Sequence, residues 1–252
     1  MKFVLAASMS VAVETKGASP ESLSASEAFK QGAALMEKGR HKDAIPYLKW
    51  AEKEYPDNPD ILWNLGIANT ETGSHHEALS AWLSYRKASP DDWLAGPKVI
   101  QAQQALGDIK SRDAELKALY ASRESGKNPK LQKADRFCRE QFVVEGRKVI
   151  AFEYFDPKDP KITYYRFSVL DQEGKEESYI SLGSYKTTVE IARELGELKS
   201  NERLYHLDEY QKSTHRTFGF FKQKPSYDDI RKSVPKILTG EMKSVSGSRF
   251  EK

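Results

Sequence analysis

The chain has 252 residues, of which 38% are hydrophobic and 31% charged, with a net charge of +3. That length accommodates one large or two ordinary domains, and so small a charge does not by itself point to nucleic acid. Cys138 is the only cysteine, which excludes an intramolecular disulfide and any cysteine-built zinc site, and no apolar run reaches the ~18–20 residues of a membrane-spanning helix.

The charge is unevenly spread. Residues 25–125 hold 13 Lys and Arg against 15 Asp and Glu, a net of −2, while 126–252 hold 25 against 20, a net of +5. In the second half the basic residues alternate with acids and form no long run, the pattern of a solvated face. At the N-terminus, Lys2 precedes an apolar run from Phe3 to Val13 that looks like a short signal-peptide core, with Ser10-Val11-Ala12 as a small-x-small cleavage site. Export is one reading; a frayed cytoplasmic leader is the other, favoured by the single basic residue and the shortness of the segment. Residues 14–25 are rich in Ser, Gly, Pro and Glu and read as a linker, so 1–24 is taken as leader and linker.

Between 25 and 92 the sequence echoes itself. Gly32, Gly39, Ala44 and Pro56 return as Gly66, Gly73, Ala78 and Pro90, each 34 residues on. A helix-turn-helix repeat explains this spacing, because such a unit buries its apolar face only against a stacked neighbour. Unit one carries Ala28, Gly32 and Leu35 inward on its first helix, and Ala44, Leu48 and Ala51 on its second. Unit two does so with Leu62, Leu65 and Gly66, then Ala78 and Trp82. A mid-helix Gly costs about 1 kcal/mol relative to Ala, so Gly32 and Gly66 predict a partner helix crossing too closely for a side chain. Gly39 and Gly73 suit the left-handed turn at a helix C-terminus, and Pro56 and Pro90 stop the second helices.

On these residues the chain resembles a tetratricopeptide repeat (TPR) protein over about 25–125. A third unit is degenerate. Gly107 keeps register, but Arg112 replaces the small residue, Glu124 the proline, and Pro97 interrupts the start of the first helix, while Leu106, Leu116 and Leu119 still mark buried positions. Such atypical units cap an array. The resemblance implies a concave groove lined by the first helix of each unit and binding a protein or peptide segment. By register the groove positions are Phe29, Ala33 and Met36, then Trp63, Asn64, Ile67 and Thr70, then Gln101 and Gln104. Some TPR proteins grip a C-terminal carboxylate with Lys, Arg and Asn at such positions. Here Phe29, Ala33, Trp63 and Ile67 stand there and only Asn64 is similar, so an apolar or aromatic-anchored segment fits better than an acidic tail. The competing reading is that Trp63 and Phe29 pack within this chain.

After the polar stretch Ser125–Pro129, β-branched and aromatic residues gather in short runs. Strands are predicted at 141–144, 148–155, 162–170, 178–184, 203–207 and 214–221, with hairpin turns at Glu145-Gly146 and Gln172-Glu173-Gly174. Thr187 with Glu190 predicts a capped helix carrying Val189, Ala192, Leu195 and Leu198; Ser226 with Asp229 predicts another carrying Ile230, Val234, Ile237 and Leu238. Short turns force antiparallel pairing, so the fold expected is multidomain: an all-α TPR array, then an α+β domain over 135–240 with an antiparallel sheet of about six strands, then a flexible tail over 241–252.

The best catalytic constellation is His206, Asp208 and His215, with Glu209 and Tyr210 nearby. Residues two apart on a strand share a face, and two His with a carboxylate suit a divalent metal or a base with its orienting acid. The alternative reads Tyr205–Asp208 as a strand end entering a polar loop, with His206 on the surface. Cys138 has Arg136 and Arg139 beside it, which could activate a thiol, though a lone buried Cys is the commoner case. His75-His76 is read as a turn pair. The alternating aromatics Phe152, Tyr154, Tyr164, Tyr165, Phe167, Phe218, Phe220 and Phe221 read as a core face with cross-strand pairs rather than a base-stacking sheet. No phosphate loop, nucleophile elbow or His-Glu-x-x-His helix occurs. The expectation is a non-enzymatic adaptor binding protein through its groove, with no cofactor, metal or nucleic acid. The alternative is a hydrolase-like or metal- or ligand-binding activity in the C-terminal domain.

Overall fold

The computed structural model describes residues 19–155, 163–186, 203–211, 214–221 and 223–244. The chain divides into two compact units, residues 1–131 and 132–252. The leader before Ser19, the predicted helix after Thr187 and the tail after Ser244 lie outside the described residues.

The first unit is built of helical hairpins: α1 (Ala25–Glu37) with α2 (His41–Glu54), α3 (Pro59–Glu71) with α4 (His75–Ala88), and α5 (Ala95–Ala105) with α6 (Ile109–Glu124), followed by a short α7 (Pro129–Gln132). Their starts follow from local chemistry. Ser24 and Glu27 form a reciprocal capping box on α1. Asn58 Oδ1 accepts from the Asp60 and Ile61 amides at the head of α3, where Pro59 needs no amide donor. Asp108 Oδ1 accepts from the Ser111 amide on α6. Gly39, Gly73 and Gly107 end the first helix of each pair at φ of 70°, 76° and 72°, which accounts for their shared register. Ala28, Ala44, Leu48, Ala51, Leu62 and Trp82 are all at most 1% exposed, and all but Ala28 belong to the two adjoining clusters that fuse the hairpins.

The mid-helix glycines sit where a neighbouring side chain crosses. A Cβ on Gly32 would lie 2.9 Å from Leu48 Cγ, and one on Gly66 only 2.6 Å from the Trp82 ring. Pro97 departs from expectation: it sits in the first turn of α5, where a missing amide proton costs nothing, and the helix runs through it. His75 and His76 open α4 rather than occupying a turn. Residues 19–24 are also more than a linker. They form a 3-10 turn at Pro20–Ser22, and the Leu23 carbonyl accepts from Trp50 Nε1 on α2 at 2.9 Å.

The second unit is a six-stranded antiparallel meander, β1 (Arg136–Val144), β2 (Arg147–Phe155), β3 (Thr163–Leu170), β4 (Glu176–Lys186), β5 (Arg203–Gln211) and β6 (Thr214–Phe221), in that spatial order, followed by α8 (Tyr227–Leu238). Glu145 and Gly146 at φ of 48° and 78° make the two-residue turn between β1 and β2. The Asp171 side chain accepts from the Glu173 and Lys175 amides to close the turn between β3 and β4. On one face Val149, Ala151, Phe167, Val169, Ile180, Leu207 and Phe218 are buried with Tyr227, Ile230, Val234 and Ile237 of α8. Ser226 and Asp229 cap α8 as its sequence predicts.

Three strands are longer by four residues or more than their sequence suggests, and β4, running from Glu176 to Lys186, gains two at each end. β1 begins at Arg136, not 141, with a register shift between Cys138 and Glu140. The buried charges there are neutralised by partners on β2 and α8. Arg139 Nη1 donates to Glu153 Oε2 at 2.7 Å, and its guanidinium lies 3.8 Å from the Tyr227 ring centre, while Glu140 Oε1 accepts from Tyr227 Oη at 2.6 Å and Arg231 Nε at 2.9 Å. β5 continues through Asp208, Glu209 and Tyr210 to Gln211, so the polar loop expected after residue 207 is strand. Beyond Gly240 the chain folds back, with the Met242 amide on the Lys236 carbonyl at 2.8 Å and its side chain against the core, so the first residues of the expected flexible tail are packed.

Candidate functional site

Two places deserve the name of site, one in each unit. In the first unit, Phe29 and Ala33 on α1 and Trp63 and Ile67 on α3 are each half-buried, at spacings of four that put them on one face of their helices. Trp63 is held rigidly, with its ring edge-on to Trp82 at 5.2 Å and to Tyr85 at 5.1 Å. Ile67 packs against both helical clusters. An apolar stripe results whose inner edges are fixed by the core and whose outer edges face solvent.

The other groove positions divide. Met36, Asn64 and Gln101 are buried, at 7%, 7% and 8% exposed. Asn64 Nδ2 donates to the Asp60 carbonyl at 2.8 Å, while its buried Oδ1 has no hydrogen-bond partner. Thr70 and Gln104 are half-buried, but their oxygens serve the fold. The Thr70 hydroxyl donates to the Gly66 carbonyl at 2.7 Å and accepts from Trp82 Nε1 at 3.3 Å, and Gln104 Oε1 accepts from Arg112. The Arg112 contact explains how arginine replaces a small residue in the third unit: it is 2% exposed, and Gln104 and Asp113 receive its guanidinium.

In the second unit His206, Asp208 and His215 do come together. The extension of β5 puts Asp208 on the sheet face opposite α8, and the β5–β6 register sets Thr217 directly across from it and His215 two pairs further along, on the same face. The carboxylate, 2% exposed, has Oδ2 at 2.8 Å from His206 Nδ1 and Oδ1 at 3.2 Å from His215 Nε2. Thr217 Oγ1 donates to Oδ1 at 2.9 Å, and Tyr210 Oη lies 3.4 Å from Oδ2. Burial pushes the Asp208 pKa up, but the hydrogen bonds from His206, Thr217 and His215 outweigh it and hold the group below the ordinary carboxylate range. The Tyr210 hydroxyl is raised, by its own burial and by the Asp208 charge. A Cβ on Gly183 would meet His206 Cε1 at 2.4 Å, so the imidazole lies directly over that glycine.

Sequence reading missed Arg166 and Tyr179 as neighbours of this site. Arg166, Tyr179, Tyr210 and His215 stack in a row across β3 to β6: the guanidinium 3.7 Å from the Tyr179 ring centre, the two tyrosines 4.8 Å apart, and Tyr210 and His215 4.7 Å apart. A shallow depression at the β4–β5–β6 end is lined by Glu177, Tyr179, Tyr210, Gln211 and His215. Only the cross-strand register brings these residues together. As to metal, both imidazoles address the carboxylate rather than a shared vacant point, and among the described residues no group of three or more His, Cys, Asp or Glu is arranged to hold an ion. Of the arginines beside Cys138, Arg136 donates to Tyr154 Oη at 2.8 Å, and Arg139 donates to Glu153.

Compared with known proteins, residues 29–92 match the family model of the tetratricopeptide repeat. The match takes in α1 to α4 from Phe29 on and stops before the third, degenerate hairpin. No curated protein matches the chain.

Proposed function

We propose that this chain, with its TPR region of protein-interaction type, is a non-catalytic adaptor that holds a segment of a partner protein along α1 and α3. The second unit is then a second docking module. The observation that carries the reading is the stripe of Phe29, Ala33, Trp63 and Ile67, half-exposed in a fold whose other large apolar residues on these helices are buried. Rigid aromatic anchors bordered by solvent are the usual centres of binding energy. The test is affinity capture comparing the full chain with a Trp63→Ala/Ile67→Ala variant and with Ala33→Gln, which obstructs the stripe without removing a core side chain. Each variant is first matched to the parent in helicity and melting. A protein retained by the parent and lost from both variants supports the reading; identical captures reject it.

A second reading is favoured by one observation, the convergence of His206 and His215 on Asp208. A carboxylate that orients an imidazole is the base half of an acid–base site, and the half-exposed His215 at the depression offers access. Its test is nuclear magnetic resonance of the two imidazoles as small esters and amides are titrated in. Shifts confined to these rings with hydrolysis lost in Asp208→Asn support it; unmoved rings remove it.

A further inference from the structure

The rings on β4, β5 and β6 keep the spacing of the sheet itself. Tyr179 stands directly across from Tyr210, and Tyr210 directly across from His215. The rings are nearly parallel, at 19° and 18°, with centres 4.8 Å and 4.7 Å apart, which is the distance between neighbouring strands. Each ring therefore lies face-on to the next across the strand gap. The β3 end of this row is closed, because the Arg166 guanidinium covers the outer face of Tyr179 and is itself held by Glu176. The β6 end is open. The His215 side chain is 50% exposed, and it meets Asp208 through Nε2, in the plane of its ring, so the ring face turned away from Tyr210 is not used by that contact. Among the described residues β6 pairs with β5 alone, and no further backbone hydrogen bond reaches it. A bulge at Gly219, where φ is 59° and the register with β5 shifts, ends the regular run, so the straight edge covers residues 214–218.

A row of amides and carbonyls on an edge strand is a template for another strand. We propose that β6 takes up, by strand addition, an extended segment of a partner protein that carries an aromatic residue opposite His215. The main chain of that segment supplies ladder hydrogen bonds and gives affinity, while the side chain opposite His215 gives specificity. The row sets which side chain fits. A flat ring on the added strand lies about 4.8 Å beyond the imidazole and stacks on it as Tyr210 does from the other side. Such aromatic pairs gain more than the area they bury, which an aliphatic side chain does not. This inference rests on the reading of the second unit as a docking module, and adds its mode of docking and its preferred residue.

The experiment titrates short fluorescent peptides onto the full chain. They alternate threonine and valine between terminal lysines, with tryptophan, leucine or alanine at the centre. The tryptophan peptide is expected to bind about three- to tenfold more tightly than the leucine peptide, and to slow hydrogen exchange at residues 214–218. His215→Ala removes that preference. Methylating the peptide nitrogens that face β6 abolishes binding, whereas methylating the alternate set does not. Equal binding of the three peptides, or a preference that survives His215→Ala, overturns the aromatic position. Binding seen only after residues 245–252 are removed assigns the edge to the chain's own tail and overturns the partner segment. No binding in either form overturns strand addition. The docking reading fails with it only if the Trp63→Ala/Ile67→Ala variant, its groove disabled, also forms no crosslink to another protein through the second unit.

Discussion

At the scale of single residues, the sharpest demands on the chain are steric. Alanine for glycine in a helix normally gains about 1 kcal/mol. At Gly66 the added methyl would meet the Trp82 ring, which cannot turn away: its nitrogen donates to Thr70 and its edges meet Trp63 and Tyr85. Overpacking of this kind costs about 1–3 kcal/mol. Gly66→Ala is therefore expected to lower the urea midpoint, and Gly32→Ala to lower it less, because Leu48 can change rotamer; equal effects would show that the ring is not fixed. Asp208 makes a second residue-scale prediction. Its pKa is held below the unfolded value of about 3.9, so the stability it contributes is present above that pH and disappears as pH falls through the lower folded value. Asp208→Asn should destabilise the protein by about 1–3 kcal/mol near neutrality, with the deficit closing in acid. A deficit that stays constant down to acid pH would contradict the assignment of a buried, ionised carboxylate.

At the scale of elements, α8 is joined to β1 and β2 by apolar packing and by buried charges. Arg139 and Glu153 are 4% and 0% exposed. Burial works against the Arg139 charge, and Glu153 outweighs it, raising the guanidinium pKa. Breaking such a pair on one side leaves a buried, uncompensated charge and costs about 3–5 kcal/mol. Arg139→Met is expected to show that loss in denaturant titration, and Arg139→Met/Glu153→Met to recover much of it; a double variant worse than either single would contradict the pair. These residues also mark what the sequence conceals. Arg139, Glu140 and Glu153 look like solvent-facing positions in an alternating strand, so the predicted β1 starts too late. In β5 the polar run Asp208–Gln211 imitates a loop because its carboxylates also need partners on the neighbouring strand, His215, Arg216 and Thr217 of β6. By contrast, Ser226 with Asp229 and Glu145-Gly146 act within a few residues of themselves, and both stand as the sequence predicts.

At the scale of the whole molecule, the repeat register was legible because it is enforced locally and twice. Gly32 and Gly66 meet a crossing side chain, Gly39 and Gly73 a left-handed turn, and both demands recur at one interval. The meander was legible from its short turns. The candidate sites were less so. Phe29, Ala33, Trp63 and Ile67 hold the half-exposed positions that register assigns them, yet Met36, Asn64 and Gln101 proved to be interior, because helical spacing gives a face but not how deeply its edge is buried. The stack of Arg166, Tyr179, Tyr210 and His215 needs strand register, which no local pattern supplies. The proposed function requires α1 and α3 to present the surface on which another protein is held. Site-specific photocrosslinking tests it most directly, with a photoreactive phenylalanine placed at Ala33 on the stripe or at Leu83 on α4, which is 41% exposed. A discrete adduct with a partner protein is expected from position 33 and none from position 83. Adducts from position 83 alone would contradict it.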